Sequence, residues 1–292
     1  MEVDRRSYPM PGGTMSAVHF NADKGPVRLV FAHANGFNAL TYRAVLEPLG
    51  VHAIAIDLRG HGMTELPTDG SSLKSFHIFA GDIATFVGRY VPGKIVLSGH
   101  SFGAVSAILA SGQLKDKISG YAGFDPVTLP WLSQKWPYIP GGQAMMKKYI
   151  PIAKNAGNRR FVFTTQQEAF ERYKGRGGFK HVSDEILQDY LTGGLKPHAE
   201  GVQLACHPSW EQAIFVAQGH NIYKAAANLP ENTRIVYAGG HAAVSTQGTR
   251  AKIGRVTGPE KIVLEKEFSH LFPIQKPAFV TNCLDLVVRQ SG

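Results

Sequence analysis

A serine hydroxyl becomes a nucleophile only with a base beside it, a group that orients the base, and donors for the negative charge that forms on the attacked oxygen. Ser101 stands in Gly99-His100-Ser101-Phe102-Gly103, between the apolar β-branched run 95–97 and the small-residue run 104–110. The first run has the pattern of a buried parallel strand, the second that of a buried helix. A strand that turns sharply into a helix strains the turn residue and exposes its side chain, and only small neighbours fit. Such a serine lies at a helix N-terminus, where free N–H groups favour negative charge. This is the G-x-S-x-G nucleophile elbow.

The candidate base is His270, in the loop just past the last strand, where a side chain faces the ligand crevice of an open α/β sheet. For the oxyanion, the loop His33-Ala34-Asn35-Gly36 follows the first buried strand. The backbone N–H groups of Asn35 and Phe102 are the candidate donors, with His33 bonding the loop backbone. The acid should end a strand near the elbow. Asp125 ends the strand after the elbow helix, and the following proline should keep it extended. The strand after residue 233 runs into Gly239-Gly240-His241-Ala242-Ala243, which has no carboxylate. Asp57 reads as ordering the turn Arg59-Gly60-His61-Gly62, and Asp285 falls inside the last helix.

The elements that position these residues alternate. Strands are predicted over 27–32, 52–56, 95–97, 118–124, 233–238 and 261–264, with a further strand over 15–20 at the sheet edge. Helices are predicted near 40–46, over a face carrying Phe76, Phe79, Ile83, Phe86 and Val87, near 246–253, and over 277–289. Strand–helix alternation implies a parallel sheet covered on both faces. From 127 to 230 the alternation stops. Thr165-x-x-Glu168 is a capping box, Ser183 can start a helix that stops at Gly193-Gly194, and Pro208 can open another. That stretch reads as an inserted helical cap. Residues 1–13 read as a loose N-terminal arm, leaving 14–126 and 231–292 as the core.

At 292 residues, with 43% hydrophobic and 18% charged residues, the chain is globular. Its net charge of +9 is spread over single and paired cations, with no basic helix, so nucleic acid is a poor partner. Cys206 and Cys283 form no C-x-x-C, which suits a reducing compartment or at most one disulfide. No apolar h-region or membrane-length run occurs, so a cytoplasmic protein without stable membrane insertion is expected. His181, His198, His207 and His220 are too far apart for a recognisable metal site, and no Walker or G-x-G-x-x-G loop implies a cofactor.

Together these residues resemble the α/β-hydrolase fold family over about 14–289, apart from the divergent cap. The order Ser101, Asp125, His270 agrees with the family's order of nucleophile, acid and base. His33-Ala34-Asn35-Gly36 resembles its H-G-x-G oxyanion loop with alanine at the first glycine, and Asp57 to Gly62 its D-x-R-G-x-G turn. The departure is the acid, which most members carry after the post-cap strand and some one strand earlier. Dehalogenases and epoxide hydrolases use an aspartate nucleophile, against which Ser101 argues. The resemblance implies an α/β fold, mostly parallel and with a helical cap, carrying a carboxylesterase-like serine hydrolase that acts through an acyl-enzyme. Thioesters, lactones and carbon–carbon bonds are alternative substrates, a lyase or cofactor-free peroxidase is an alternative activity, and a non-catalytic small-molecule receptor is a rival from another class. The cap aromatics Trp131, Trp136, Phe170 and Trp210 are the candidate lining of an apolar pocket for a hydrophobic ester. A monomer or homodimer is expected.

Overall fold

In the computed structural model, which describes residues 3–240 and 244–292, an eight-stranded sheet forms the centre of the chain. The strands are β1 (Asp4–Met10), β2 (Gly13–Phe20), β3 (Leu29–Ala32), β4 (Ala53–Ile56), β5 (Ile95–His100), β6 (Ile118–Phe124), then β10 (Thr233–Ala238) and β11 (Ile262–Glu265) after the inserted segment. Their spatial order is β1-β2-β4-β3-β5-β6-β10-β11. β1 and β2 run antiparallel at one edge, and every pairing from β4 to β11 is parallel.

The central strands are apolar throughout because both faces are covered. Val30, Ile54 and Leu97 join a core on one face, while their neighbours Phe31, Ala55 and Val96 join a second core on the other. This is the period-two alternation of a pleated strand. The first face is packed by α2 (His77–Tyr90) and α3 (Phe102–Ser111). The second is packed by the one-turn α1 (Arg43–Leu46) and by α12 (Pro277–Arg289).

Residues 4–10 are not a loose arm. They pair with β2 along their full length, so β1, not β2, is the edge. Its charges and Pro9 hid it from the hydrophobic pattern, and they are how an edge strand avoids further pairing. Arg5 reaches from β1 to the buried carboxylate of Asp57.

The inserted segment holds α4 (Gly142–Tyr149), α5 (Pro151–Gly157), α6 (Gln166–Tyr173), α7 (Asp184–Gly194), α8 (Pro208–Val216) and α9 (Ile222–Ala226). The caps fall where the sequence put them: Thr165 accepts from the Glu168 N–H, and Ser183 from the Ile186 N–H. Not foreseen was a small antiparallel sheet of β7 (Val162–Phe163), β9 (Gly201–Leu204) and β8 (Leu195–His198). These strands are short and β8 contains Pro197, which is tolerated because β8 is an edge. The segment has its own apolar core, including Phe163, Phe170, Phe179 and Leu191. Its last helix, α9, instead packs Ile222 and Ala226 into the sheet's core. The chain closes through α10 (Gln247–Thr257) and the one-turn α11 (Phe272–Gln275).

Candidate active site

Ser101 occupies the turn between β5 and α3 with φ 53° and ψ −119°, a conformation that side chains rarely adopt. The turn is held by close packing as well as by the Ser101 N–H bond to the Phe124 carbonyl, 2.8 Å. A Cβ on Gly103 would lie 2.2 Å from the Ala32 oxygen, and one on Gly99 would lie 2.7 Å from the Ala104 nitrogen. Both glycines of the motif are therefore dictated by the close approach of α3 to β3 and β5.

The three residues the sequence singled out as nucleophile, base and acid lie in one hydrogen-bonded line. His270 Nε2 is 2.9 Å from Ser101 Oγ, and His270 Nδ1 is 2.6 Å from Asp125 Oδ2. The geometry fits a ring that donates from Nδ1 to the carboxylate and accepts from the serine at Nε2. Asp125 is fully buried. Its N–H donates to the Val236 carbonyl at 2.7 Å, and its Oδ1 accepts from the Ala238 N–H at 3.2 Å. Pro126 does not hold Asp125 extended: its φ is 44°, in the left-handed region. The bonds to β10 hold it there and leave Oδ2 for His270. Residues 241–243, part of the stretch searched for an alternative acid, lie outside the described residues.

A second line of bonds supports this one, and sequence reasoning missed it. The Ala34 N–H donates to Tyr42 Oη at 3.1 Å, and Tyr42 Oη lies 2.7 Å from His100 Nδ1. His100 Nε2 lies 2.9 Å from the carbonyl oxygen of His270. A carbonyl only accepts, so Nε2 carries the proton and Tyr42 donates to Nδ1. His100 is fully buried, and burial pushes its pKa well below the ordinary value, so it stays neutral. The residue before the serine thus ties the candidate oxyanion loop to the backbone of the candidate base. Its only sequence signal was a histidine at a position that should be buried.

The loop itself is fixed by neutral histidines. His33 donates from Nδ1 to the Ala34 carbonyl at 2.8 Å and accepts at Nε2 from the Leu58 N–H at 2.9 Å. His61 accepts from the Gly36 N–H at 3.1 Å and donates to the Arg59 carbonyl. Burial holds His33 down to about 4 and His61 down to about 3. Asp57 orders the adjoining turn, as read from sequence, accepting from the Ala39 and Met63 N–H groups. From the inserted segment, the Glu211 carbonyl accepts from the Asn35 side chain at 3.0 Å, and the Glu211 carboxylate pairs with Arg159 at 2.7 Å. Gly36 has φ 77°, and a Cβ there would lie 2.6 Å from Glu211 Oε1. The backbone N–H groups of Asn35 and Phe102, both in buried residues, have no hydrogen-bond acceptor among the described residues.

The four cap aromatics are placed differently from the expectation. Trp210 is buried beneath the turn, donating from Nε1 to the Arg59 carbonyl at 2.9 Å and packing on Phe79. Phe170 belongs to the core of the inserted segment. Trp131 and Trp136 are 53% and 40% exposed, and Trp131 lines an outer cleft with Tyr223 and Lys252. The insertion needed a core and a surface, and its aromatics went to both. The aromatic that directly follows the candidate oxyanion loop is Phe37, whose ring lies 5.8 Å from Phe179 and 5.6 Å from Tyr190. Among the described residues no group of three or more His, Cys, Asp or Glu side chains is placed to hold a metal ion. Cys206 and Cys283 are free, buried thiols.

The fold and the serine–histidine–aspartate line define a class, and comparison with known proteins agrees: over residues 29–247 the chain matches the family described as the alpha/beta hydrolase family, and it belongs to that family. It is 32% identical over 194 residues to the 2-(acetamidomethylene)succinate hydrolase of Mesorhizobium japonicum, covering 62% of this chain and 61% of that one. The chain's match thus spans about three fifths of that relative's length. Among solved structures, E-2-(acetamidomethylene)succinate hydrolase superposes with a TM-score of 0.78 at 18% identity, covering 99% of this chain and 100% of that one. The thioesterase domain of the curacin biosynthetic pathway superposes with a TM-score of 0.76 at 16% identity, covering 97% and 99%. At these identities the superpositions speak to the fold alone.

Proposed function

We propose that the protein is a serine hydrolase that cleaves a carboxylic ester of a hydrophobic small molecule through an acyl-enzyme. The observation that carries this reading is the line Ser101 Oγ–His270 Nε2, 2.9 Å, and His270 Nδ1–Asp125 Oδ2, 2.6 Å. His270 takes the proton from Ser101 as its oxygen attacks the ester carbonyl. Asp125 keeps the ring in the productive tautomer and stabilises the imidazolium that forms. The carbonyl oxygen, now negative, is received by the N–H groups of Asn35 and Phe102; buried donors left without acceptors fit that task. Collapse expels the alcohol, protonated by His270, and leaves the acyl group on Ser101. His270 then takes a proton from water, whose attack releases the acid.

Phe37, adjoining the oxyanion loop and packed by its ring against Phe179 and edge-on against Tyr190, supports an apolar acyl or alcohol group. A second reading is favoured by the sequence relative, whose name makes it a hydrolase of an acetamido compound: the same centre would act on an acyl–nitrogen bond. The deciding experiment is kcat/KM over matched aryl esters, thioesters and amides of rising acyl length. Esters should lead, rates should rise with apolar length, and Ser101→Ala should lose several orders of magnitude on the scale of other triad losses. Preference for amides moves the reading to the second one. Preference for charged, short acyl groups overturns the apolar assignment.

A further inference from the structure

Eight of the twelve large hydrophobic side chains that stand exposed among the described residues fall between Trp131 and Ile152. Seven of them lie on three consecutive pieces, each packed on the next, the 3₁₀ segment Trp131–Tyr138, α4 and α5, and Ile139 follows the first. The inward positions of these pieces are Pro137, Met146, Ala153 and Ala156. Leu132, Met145, Tyr149 and Ile152, 56%, 42%, 67% and 53% exposed, look out. Soluble proteins rarely leave so many large apolar groups together without a partner.

The charge of the same surface says which partner. From Pro126 to Gln167 the chain carries no aspartate or glutamate, while Lys135, Lys147, Lys148 and Lys154 lie among the exposed apolar groups. Lys135 lies over the Trp131 ring at 5.2 Å and Lys148 over the Tyr149 ring at 5.3 Å. Beside them, Trp131, Tyr223, Lys224, Lys252 and Val256 line an open cleft of about 440 Å³, with Lys252 4.3 Å over the Tyr223 ring. Two copies meeting through this face would bring lysines against lysines, and lysine is depleted from protein interface cores. Aromatic and aliphatic groups set among lysines suit instead the boundary of an anionic bilayer, with rings at headgroup depth and ammonium groups on phosphates.

We infer that the outer face of the inserted segment, formed by residues 131–154 with the Lys224–Lys252 cleft, docks on anionic membrane surfaces. The contact is peripheral: no helix among the described residues is long and apolar enough to cross a membrane. The inference stands on this surface and is independent of the chemistry proposed for Ser101.

The test is sedimentation of the full chain with phosphatidylcholine vesicles, with and without about one third phosphatidylglycerol. The protein should pellet with the anionic vesicles and not with the neutral ones. Trp131 and Trp136 are exposed while Trp210 is buried, so emission should shift to the blue and be quenched by brominated lipid. Each lysine near an anionic surface contributes roughly fivefold in partitioning, so Lys148→Glu/Lys154→Glu should weaken binding by about 25-fold or more. Met145→Ser/Tyr149→Ser/Ile152→Ser should remove the blue shift and most of the binding, with urea unfolding midpoints unchanged in both variants. The inference is overturned by wild type that ignores anionic vesicles, by equal binding to neutral ones, or by variants that bind like wild type. It is also overturned if light scattering finds a self-associated species that the triple variant dissolves, which would make this face a contact between copies.

Discussion

Tyr42→Phe removes one oxygen and leaves the ring, so it opens almost no cavity. Tyr42 Oη is fully buried and does two things: it accepts from the Ala34 N–H at 3.1 Å and donates to His100 Nδ1, 2.7 Å away. Without it, two buried polar groups lose their partners, at roughly 1–3 kcal/mol each. If His100 relieves its share by moving its proton to Nδ1, the His270 carbonyl loses its donor instead. The expected loss of stability is therefore about 2–6 kcal/mol, read from urea unfolding. The loop carrying Asn35 is held by the same oxygen, and in the proposed mechanism the charge it receives develops only in the transition state. The kcat on a short aryl ester should fall on the order of 10- to 100-fold with little change in KM. Stability within about 0.5 kcal/mol of wild type together with kcat within about twofold would refute the reasoning, because the Tyr42–His100 line would then hold nothing.

Asp125→Asn should lower kcat strongly, on the order of the 10⁴-fold loss seen for the same change in a triad protease, with KM nearly constant; near-normal turnover would show that another group orients His270. Gly103→Ala places a Cβ 2.2 Å from the Ala32 oxygen and 2.4 Å from the His33 oxygen, so the elbow must open; soluble yield and Ser101 reactivity should both fall, and a well-folded, fully active variant would contradict the packing account. Acid should destabilise the protein in a definite window. His33 and His61 are held at about 4 and 3, below their ordinary 6.5. Below pH 6.5 the unfolded chain binds protons that the folded chain refuses, so stability is full above that pH and falls as pH drops toward 4. Each residue should remove roughly 2 kcal/mol between pH 7 and 5; urea midpoints flat over that range would count against buried neutral rings.

The elbow was legible because its strand, its two glycines and its small-residue helix agree with one another, and each strand of the large sheet from β3 onward was marked by an apolar run. β1 was not, since an edge strand carrying Asp4, Arg5, Arg6 and Pro9 looks like a polar arm until its partner is known. Asp125 could be singled out as the candidate acid by elimination along strand ends, yet its left-handed backbone could not be foreseen, because the bonds that impose it come from β10, more than a hundred residues away. The placement of the aromatics between 131 and 210 is not written in their spacing. Composition says that an insertion has aromatics, while only packing decides that Trp210 lies under a turn and Trp131 faces outward. The Tyr42–His100 line joins three distant segments through side chains, and no periodicity or spacing encodes such a line.

The central claim is that Ser101 is the nucleophile. It is tested most directly by treating the protein with a fluorophosphonate and mapping the adduct by mass spectrometry, in wild type and in Ser101→Ala. The account predicts one adduct per chain, on Ser101, formed with loss of hydrolytic activity and absent from the variant. An adduct on another residue, or hydrolysis that survives in Ser101→Ala, would contradict it.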